Sequence, residues 1–344
     1  MPPSPSPSIT MQSLNKKSTA LDVLKGLTKG QKLASYINLG SSAGKQPAVA
    51  IVTGGSSGIG IPSFKTLAMA NMKVVLCARN LEAAKKVVES LPSSSRNNVR
   101  IQKLDLANMK SIQSAAEEIL QKEGKAGGIH VLLNNAGVMA PPKQGTAQDL
   151  ELQFGTNHVG HHMFTRLLLP VINEGGRVVT VASSAHSFGE LNFQNLNYET
   201  DGATKEKRKY SAWGAYGQSK LANILFAKGL SDELQVANSS IKSVSLHPGV
   251  IGTNLWRYLP KWTRPFLNAL LTNKNVEQGA ATSVYCCLVD GNEFEGGEYL
   301  SDCHIEEPKK FGKDESGTLR KKLWDATEKM IEENGFSLPN PIRK

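Results

Sequence analysis

The chain has 344 residues, 40% of them hydrophobic and 20% charged, which allows an ordinary globular core without metal or disulfide staples. Its four cysteines, Cys77, Cys286, Cys287 and Cys303, form no C-x-x-C pair and read as free thiols of a reducing compartment. The net charge of +10 does not point to nucleic acid, because residues 1–46 hold six lysines against one acid and the remaining excess is spread thinly. No stretch reaches the roughly 18 to 20 apolar residues of a helical membrane span.

In chain order, the Pro- and Ser-rich opening reads as disordered. Residues 1–46 read either as a transit peptide, Ser-rich and nearly acid-free, or as a tail followed by a short helix over 20–27 packed on the domain. The compartment stays open between the cytoplasm and the periphery of an organelle membrane, chloroplast and mitochondrion included. From residue 48 onward, short Val/Ile-rich runs at 48–53, 73–77, 99–104, 130–134, 177–182, 241–246 and 298–300 predict strands. Amphipathic stretches at 59–70, 81–90, 109–123, 147–172, 215–234 and 276–288 predict helices between them. The alternation predicts an α/β fold: one doubly wound Rossmann-type domain over 47–305, its seven-stranded parallel sheet covered by helices on both faces. Residues 306–344 form a helical tail. Its basic stretch from Leu319 to Trp324 reads as a capping helix or as a segment that calmodulin or another partner binds.

The first strand runs into Thr53-Gly54-Gly55-Ser56-Ser57-Gly58-Ile59-Gly60 and then a helix. A strand, a glycine turn and a helix N-terminus present backbone N–H groups to a pyrophosphate. Pro62 lacks a donor toward Gly58 and is tolerated only in the first helical turn. The second strand ends in Ala78-Arg79-Asn80, where an acid would bond the ribose 2′-hydroxyl of NAD. Arg79 instead offers a planar fork for a 2′-phosphate, so NADP(H) is the expected cofactor.

The spacing Thr-Gly-x-x-x-Gly-x-Gly resembles the cofactor turn of the short-chain dehydrogenase/reductase family. Four further stretches match that family in order: Asp105-Leu106, Asn134-Asn135-Ala136-Gly137, Tyr216 with Lys220 four residues on, and Pro248-Gly249-Val250 with Thr253. The resemblance spans about residues 48–302. It implies cofactor contacts from Gly54, Ser56, Ser57, Gly58, Ile59, Gly60, Arg79, Asn80, Asp105, Leu106, Asn135, Ala136 and Gly137. Tyr216, Lys220, Pro248, Gly249, Val250 and Thr253 complete that set. Asn157-His158-Val159-Gly160-His161-His162, Ser184-Ala185-His186, Tyr216 to Asn223 and Gln278 to Thr282 are similar to the retinol-dehydrogenase-like branch. That branch includes the WW-domain oxidoreductase and a short-chain dehydrogenase associated with the chloroplast inner-envelope translocon.

A free tyrosine, with a pKa of about 10, is a poor base near neutral pH. Lys220 shares a helix face with Tyr216, and its ammonium is expected to pull the phenol toward the working range. The resemblance implies a catalytic set of Asn157, Ser184, Tyr216 and Lys220. Tyr216 is the acid/base, Lys220 also holds the ribose hydroxyls, Ser184 bonds the substrate oxygen, and Asn157 anchors a relay water. Ser184 is taken over Ser183 as the second of the family's paired serines. His158, His161 and His162 have zinc spacing, but no Glu completes an H-E-x-x-H arrangement, so packing is expected and no metal.

The segment 254–267 carries Trp256 and Trp262 among Arg257, Lys261 and Arg264. It reads as a wall for a bulky apolar substrate or as packing on its own domain, and it permits peripheral contact with a membrane. A homodimer is kept open. The expected activity is hydride transfer between NADP(H) and an apolar alcohol or carbonyl compound of retinoid, steroid or lipid-aldehyde type. The alternative is a redox-sensing NADPH-binding subunit of a membrane complex such as a chloroplast import translocon.

Overall fold

The computed structural model describes residues 13–37, 46–124, 127–199, 208–251 and 274–339. The strands are β1 (Val49–Thr53), β2 (Lys73–Ala78), β3 (Val99–Lys103), β4 (Ile129–Asn134), β5 (Ile172–Val181), β6 (Lys242–His247), β7 (Tyr299–Ser301) and β8 (His304–Glu306). They form one sheet in the order β3-β2-β1-β4-β5-β6-β7-β8. All neighbours pair in parallel except β7 and β8. The strand order turns back between β1 and β4, and in such sheets the crevice beyond the strand carboxyl ends at that point is where ligands bind.

Eight described strands replace the seven expected. The additional β8 closes a hairpin through Asp302 and Cys303, whose φ angles are +52° and +67°. Both positions of such a turn need the left-handed region, and Asp-Cys gives none of the usual Asn-Gly or Asp-Gly signal. The helix expected over 147–172 is also broken up. A π-helical turn occupies Gly155–Val159, and a short turn with Pro170 delivers the chain into β5 at Ile172.

The long helices are α1 (Ala20–Lys29), α2 (Gly60–Met69), α3 (Leu81–Glu89), α4 (Met109–Ile119), α5 (Gly160–Leu168), α6 (Ala212–Val236), α7 (Ala281–Leu288) and α8 (Thr318–Glu333). Alternate strand residues enter two cores. Ala50, Val52, Val74 and Leu76 face α1, α2 and α7, while Val49, Ile51, Val75 and Leu132 face α4, α5, α6 and α8. Pro62 falls in the first turn of α2, where its missing donor is harmless. Among the described residues no helix is long and apolar enough to cross a membrane. The four cysteines are free and buried, and burial pushes all four thiols up, which makes them poor nucleophiles.

Both ends of the chain pack on this frame. Thr19 and Asp22 form a reciprocal cap at the start of α1, and Ala20, Val23, Leu24 and Leu27 supply its buried stripe. Beyond α1, the Ala34 N–H donates to the Leu288 carbonyl at 2.8 Å, and the Tyr36 hydroxyl donates to the Cys287 carbonyl at 2.7 Å. Fully buried Arg177 lies beneath Tyr36 and Phe294, and its Nη1 donates to the Cys286 and Val289 carbonyls. Those carbonyls close the negative end of α7, so the cation meets helix dipole and ring faces there. At the other end, α8 buries Leu323 and Ile331, and Trp324 stacks on Phe226 of α6. The apolar face of the basic stretch is thus occupied within the chain, as in the capping-helix reading.

Leu27→Ala is expected to lower unfolding stability by about 2 to 5 kcal/mol in denaturant titrations, through the cavity it leaves. A loss below about 0.5 kcal/mol would show that α1 is no part of the core.

Candidate active site

The glycine turn leaves β1 at Thr53 and enters α2 at Gly60. Gly54 has φ +66°, and a Cβ on it would lie 2.8 Å from the Ala136 Cα, so the turn presses on the segment after β4. Thr53 joins the two. Its Oγ1 accepts the Asn135 and Ala136 N–H groups at 2.9 and 3.0 Å, and the Asn135 Nδ2 donates to the Thr53 carbonyl at 2.8 Å. No side chain caps α2, and Ser56, Ser57, Gly58 and Ile59 line the cavity in front of it. That arrangement suits a phosphate.

The same cavity of about 1010 Å³ is lined by Arg79, Asn80, Asp105, Leu106, Asn135, Ala136 and Gly137, then by Tyr216, Lys220, Pro248, Gly249 and Val250. Arg79 is exposed at its rim, and its carbonyl accepts from Lys103 Nζ at 2.6 Å. Asn80 caps α3, its Oδ1 accepting from the Ala83 N–H at 3.0 Å. Asp105 Oδ1 accepts from the Ala107 N–H at 3.1 Å. Asn135 Oδ1 and Thr156 Oγ1 are buried in the lining without a protein partner. A buried polar atom left so costs about 1 to 3 kcal/mol, which a ligand carrying polar groups offsets. The lining therefore fits a dinucleotide. Thr253, and the segment 254–267 expected to wall the substrate, lie outside the described residues.

At the other end of the cavity α6, capped by Ser211, presents Tyr216, Ser219, Lys220 and Asn223. Tyr216 is 6% exposed, and the Ser183 side chain acts on its phenol in favour of the ionised form. Ser184, the serine expected to bond the substrate oxygen, and Ser183 both line the cavity with Tyr216. Ser183 is in extended backbone, and Ser184 opens the 3₁₀ turn that follows it. Ser184 is exposed at the cavity wall, and its N–H donates to His247 Nδ1 at 3.1 Å.

Asn157, in the π-helical turn, is a brace. Its Oδ1 accepts the Val138 N–H at 2.8 Å, and its Nδ2 donates to the Val138 carbonyl and to Ser219 Oγ. Lys220 Nζ donates to the Val181 carbonyl at 2.9 Å and lies 5.7 Å from the Tyr216 ring centroid. Burial pushes Tyr216 up to about 12, against the Ser183 side chain, and pushes Lys220 down to about 8. The sequence reading had the ammonium lowering the phenol. Desolvation is the largest influence on Tyr216 and acts the other way, toward the protonated phenol.

The three histidines face different partners. His161 Nε2 meets Thr53 Oγ1 at 2.9 Å, His158 Nε2 meets Thr327 Oγ1 at 3.0 Å, and His162 packs on Trp324 near Glu328. They join α5 and the preceding turn to β1 and α8 instead of converging on one point.

The profile of the short chain dehydrogenase family matches residues 48–197. Human retinol dehydrogenase 11 is 36% identical over 284 residues, covering 81% of this chain and 84% of that protein. The chain belongs to the short-chain dehydrogenase family. It falls in the retinol-dehydrogenase-like branch and is an oxidoreductase acting on CH–OH and C=O groups with a nicotinamide cofactor. A chloroplast short-chain dehydrogenase from Brassica napus, TIC 32 A, is also 36% identical over 293 residues, 82% of this chain and 88% of that protein. An uncharacterised protein from Mycobacterium paratuberculosis has the same fold, with a TM-score of 0.67, 28% identity and coverage of 88% of this chain and 100% of its own.

Sequence reasoning weighed Ser183 against Ser184, and it missed Phe188 and Trp213, which line the cavity with Tyr216. Trp213 stands three residues before Tyr216 on one helix, its ring edge-on to the phenol at 6.2 Å between centroids. That spacing was the available signal.

Burial holds His158 and His162 below the ordinary imidazole range, and His161 and His247 at about 4. An unfolded chain takes up these protons below about pH 6.5 while the folded one does not. Folding stability is therefore expected to fall as pH drops below about 6.5, by up to about 1.4 kcal/mol per pH unit for each histidine. Denaturant midpoints measured from pH 8 to 5 check this, and a flat profile contradicts it.

Proposed function

We propose that the protein is an NADP(H)-dependent reductase of bulky apolar carbonyl compounds and, in reverse, a dehydrogenase of the matching alcohols. Retinoid-, steroid- and lipid-aldehyde-like molecules are its substrate class. One observation carries this reading: the glycine turn, Tyr216 and two aromatic rings share the lining of a single cavity. Phe188 and Trp213 are 49% and 44% exposed, although most large apolar side chains among the described residues are buried. Exposed rings in a concave wall suit an apolar ligand. Around the phenol, Met139, Ala140 and Ala185 add apolar surface. The human relative's name, a retinol dehydrogenase, agrees with that class.

When bound, the nicotinamide supplies the hydride that reduces the carbonyl carbon. Tyr216, kept neutral by burial, donates its proton to the substrate oxygen. A serine hydroxyl of the cavity wall, Ser183 in this reading, bonds that oxygen as charge develops. Lys220 stays beside the ring and stabilises the phenolate left behind. For the cofactor, Arg79 at the rim of the cavity and no acid in Ala78-Arg79-Asn80 favour a 2′-phosphate.

The similarity to the chloroplast relative supports a second reading, a redox-sensing NADPH-binding subunit of a membrane complex. A panel of retinal, steroids and medium-chain aldehydes separates the two. NADPH oxidation with one of them supports the enzyme, and none with intact NADPH binding supports the subunit.

Tyr216→Phe is expected to remove turnover, by at least about 100- to 10,000-fold, while NADPH affinity survives. Ser183→Ala is expected to lower kcat far more than Ser184→Ala, and the reverse order would return the role to Ser184. Arg79→Asp is expected to shift preference from NADPH to NADH in the ratio of kcat/KM values. Unchanged selectivity would remove Arg79 from the 2′-phosphate.

A further inference from the structure

His161 lies on α5, buried behind the cavity wall and absent from its lining. Its Nδ1 is 2.9 Å from the Asn157 carbonyl oxygen, and its Nε2 is 2.9 Å from Thr53 Oγ1. A carbonyl only accepts, so Nδ1 carries the proton. Burial holds the ring neutral, its pKa down at about 4, so Nε2 is a lone pair. The Thr53 oxygen already accepts two N–H groups, from Asn135 and Ala136, which uses both of its lone pairs. Its single proton is left to donate, and the imidazole at 2.9 Å is nearer than the other acceptor, the Leu133 carbonyl at 3.4 Å.

We propose that His161 is a positioning residue for dinucleotide binding. By taking the Thr53 proton it fixes that hydroxyl with both lone pairs toward the segment after β4, and so holds Asn135 to Gly137 in the shape that lines the cofactor cavity. The same ring holds the Asn157 carbonyl, and the Asn157 side chain holds Val138, so one imidazole braces the wall from two sides. Without the acceptor, the Thr53 proton turns toward Leu133 and one of the two N–H groups loses its partner. The clearance is small, because Gly54 packs against Ala136 with no room for a methyl group. This inference rests on the nicotinamide-binding part of the preceding reading and not on its substrate.

The test uses the full chain, with NADPH affinity read by fluorescence titration. An asparagine amide can replace the Nδ1 donor but does not reach Thr53, whereas a glutamine oxygen reaches the Nε2 position. His161→Asn and Thr53→Val are expected to weaken NADPH binding about 10-fold, the scale of one buried hydroxyl left unpaired. His161→Gln and Thr53→Ser are expected to stay within about 3-fold of the wild type. The double variant H161N/T53V is expected to bind no more weakly than T53V alone, since the two residues act through one bond. In the unaltered protein, ¹⁵N spectra of the imidazole are expected to show the neutral ring protonated at Nδ1, a readout that needs no variant to fold. Equal affinity across the set, or a proton on Nε2, overturns the inference alone. A wild type that binds neither NADPH nor NADH overturns it together with the functional reading.

Discussion

At the carboxyl edge of the sheet, β1 and β4 are neighbours although Thr53 and Asn135 lie 82 positions apart in sequence, and the Thr53 hydroxyl secures their ends. Everything built on that edge depends on the junction. The glycine turn can press on Ala136 only while the segment after β4 is held in place, and Val138 one step further is clasped by Asn157. Asn157 in turn reaches Ser219, one residue before Lys220, so the cofactor end and the Tyr216 end of the cavity are parts of one hydrogen-bonded frame.

Burial sets the electrostatics of this frame more than charge pairing does. Tyr216 and Lys220 are one helical turn apart, yet desolvation drives the phenol up and the ammonium down. The result is a protonated phenol beside a cation that the Val181 carbonyl already holds. Arg177 follows the same logic away from the site, where its buried charge meets carbonyl oxygens and ring faces. The extra segments at both ends serve this scaffold. The chain after α1 pairs with the end of α7, and α8 seals the helices that carry Asn157's neighbours and Tyr216.

Much of this was legible from residues 48–302, because Val/Ile runs and glycine punctuation carry the period and the order of a parallel sheet. The glycine turn, the fork of Arg79 at the end of β2, and the Tyr216–Lys220 pair needed only sequence spacing to be placed together. Other features depend on three-dimensional facts that spacing does not encode. How Ser183 and Ser184 sit relative to the phenol depends on the turn after β5, where Ser183 is extended and Ser184 opens a 3₁₀ turn. The direction of the Tyr216 shift depends on how deeply the ring is buried, and the β7–β8 hairpin turns on two left-handed residues that are not glycine. His161 read as packing, since its partner Thr53 is 108 residues away. The segment 254–267, expected to supply an aromatic wall, lies outside the described residues, among which Phe188 and Trp213 line the cavity with Tyr216.

The central claim is that one cavity brings a dinucleotide and an apolar carbonyl together at Tyr216. A crystal structure with NADPH bound tests it most directly. The account predicts the pyrophosphate at the first turn of α2, the 2′-phosphate on Arg79 and the nicotinamide ring within reach of Tyr216. Density for the dinucleotide elsewhere on the protein, or a nicotinamide turned away from Tyr216 and Ser183, would contradict it.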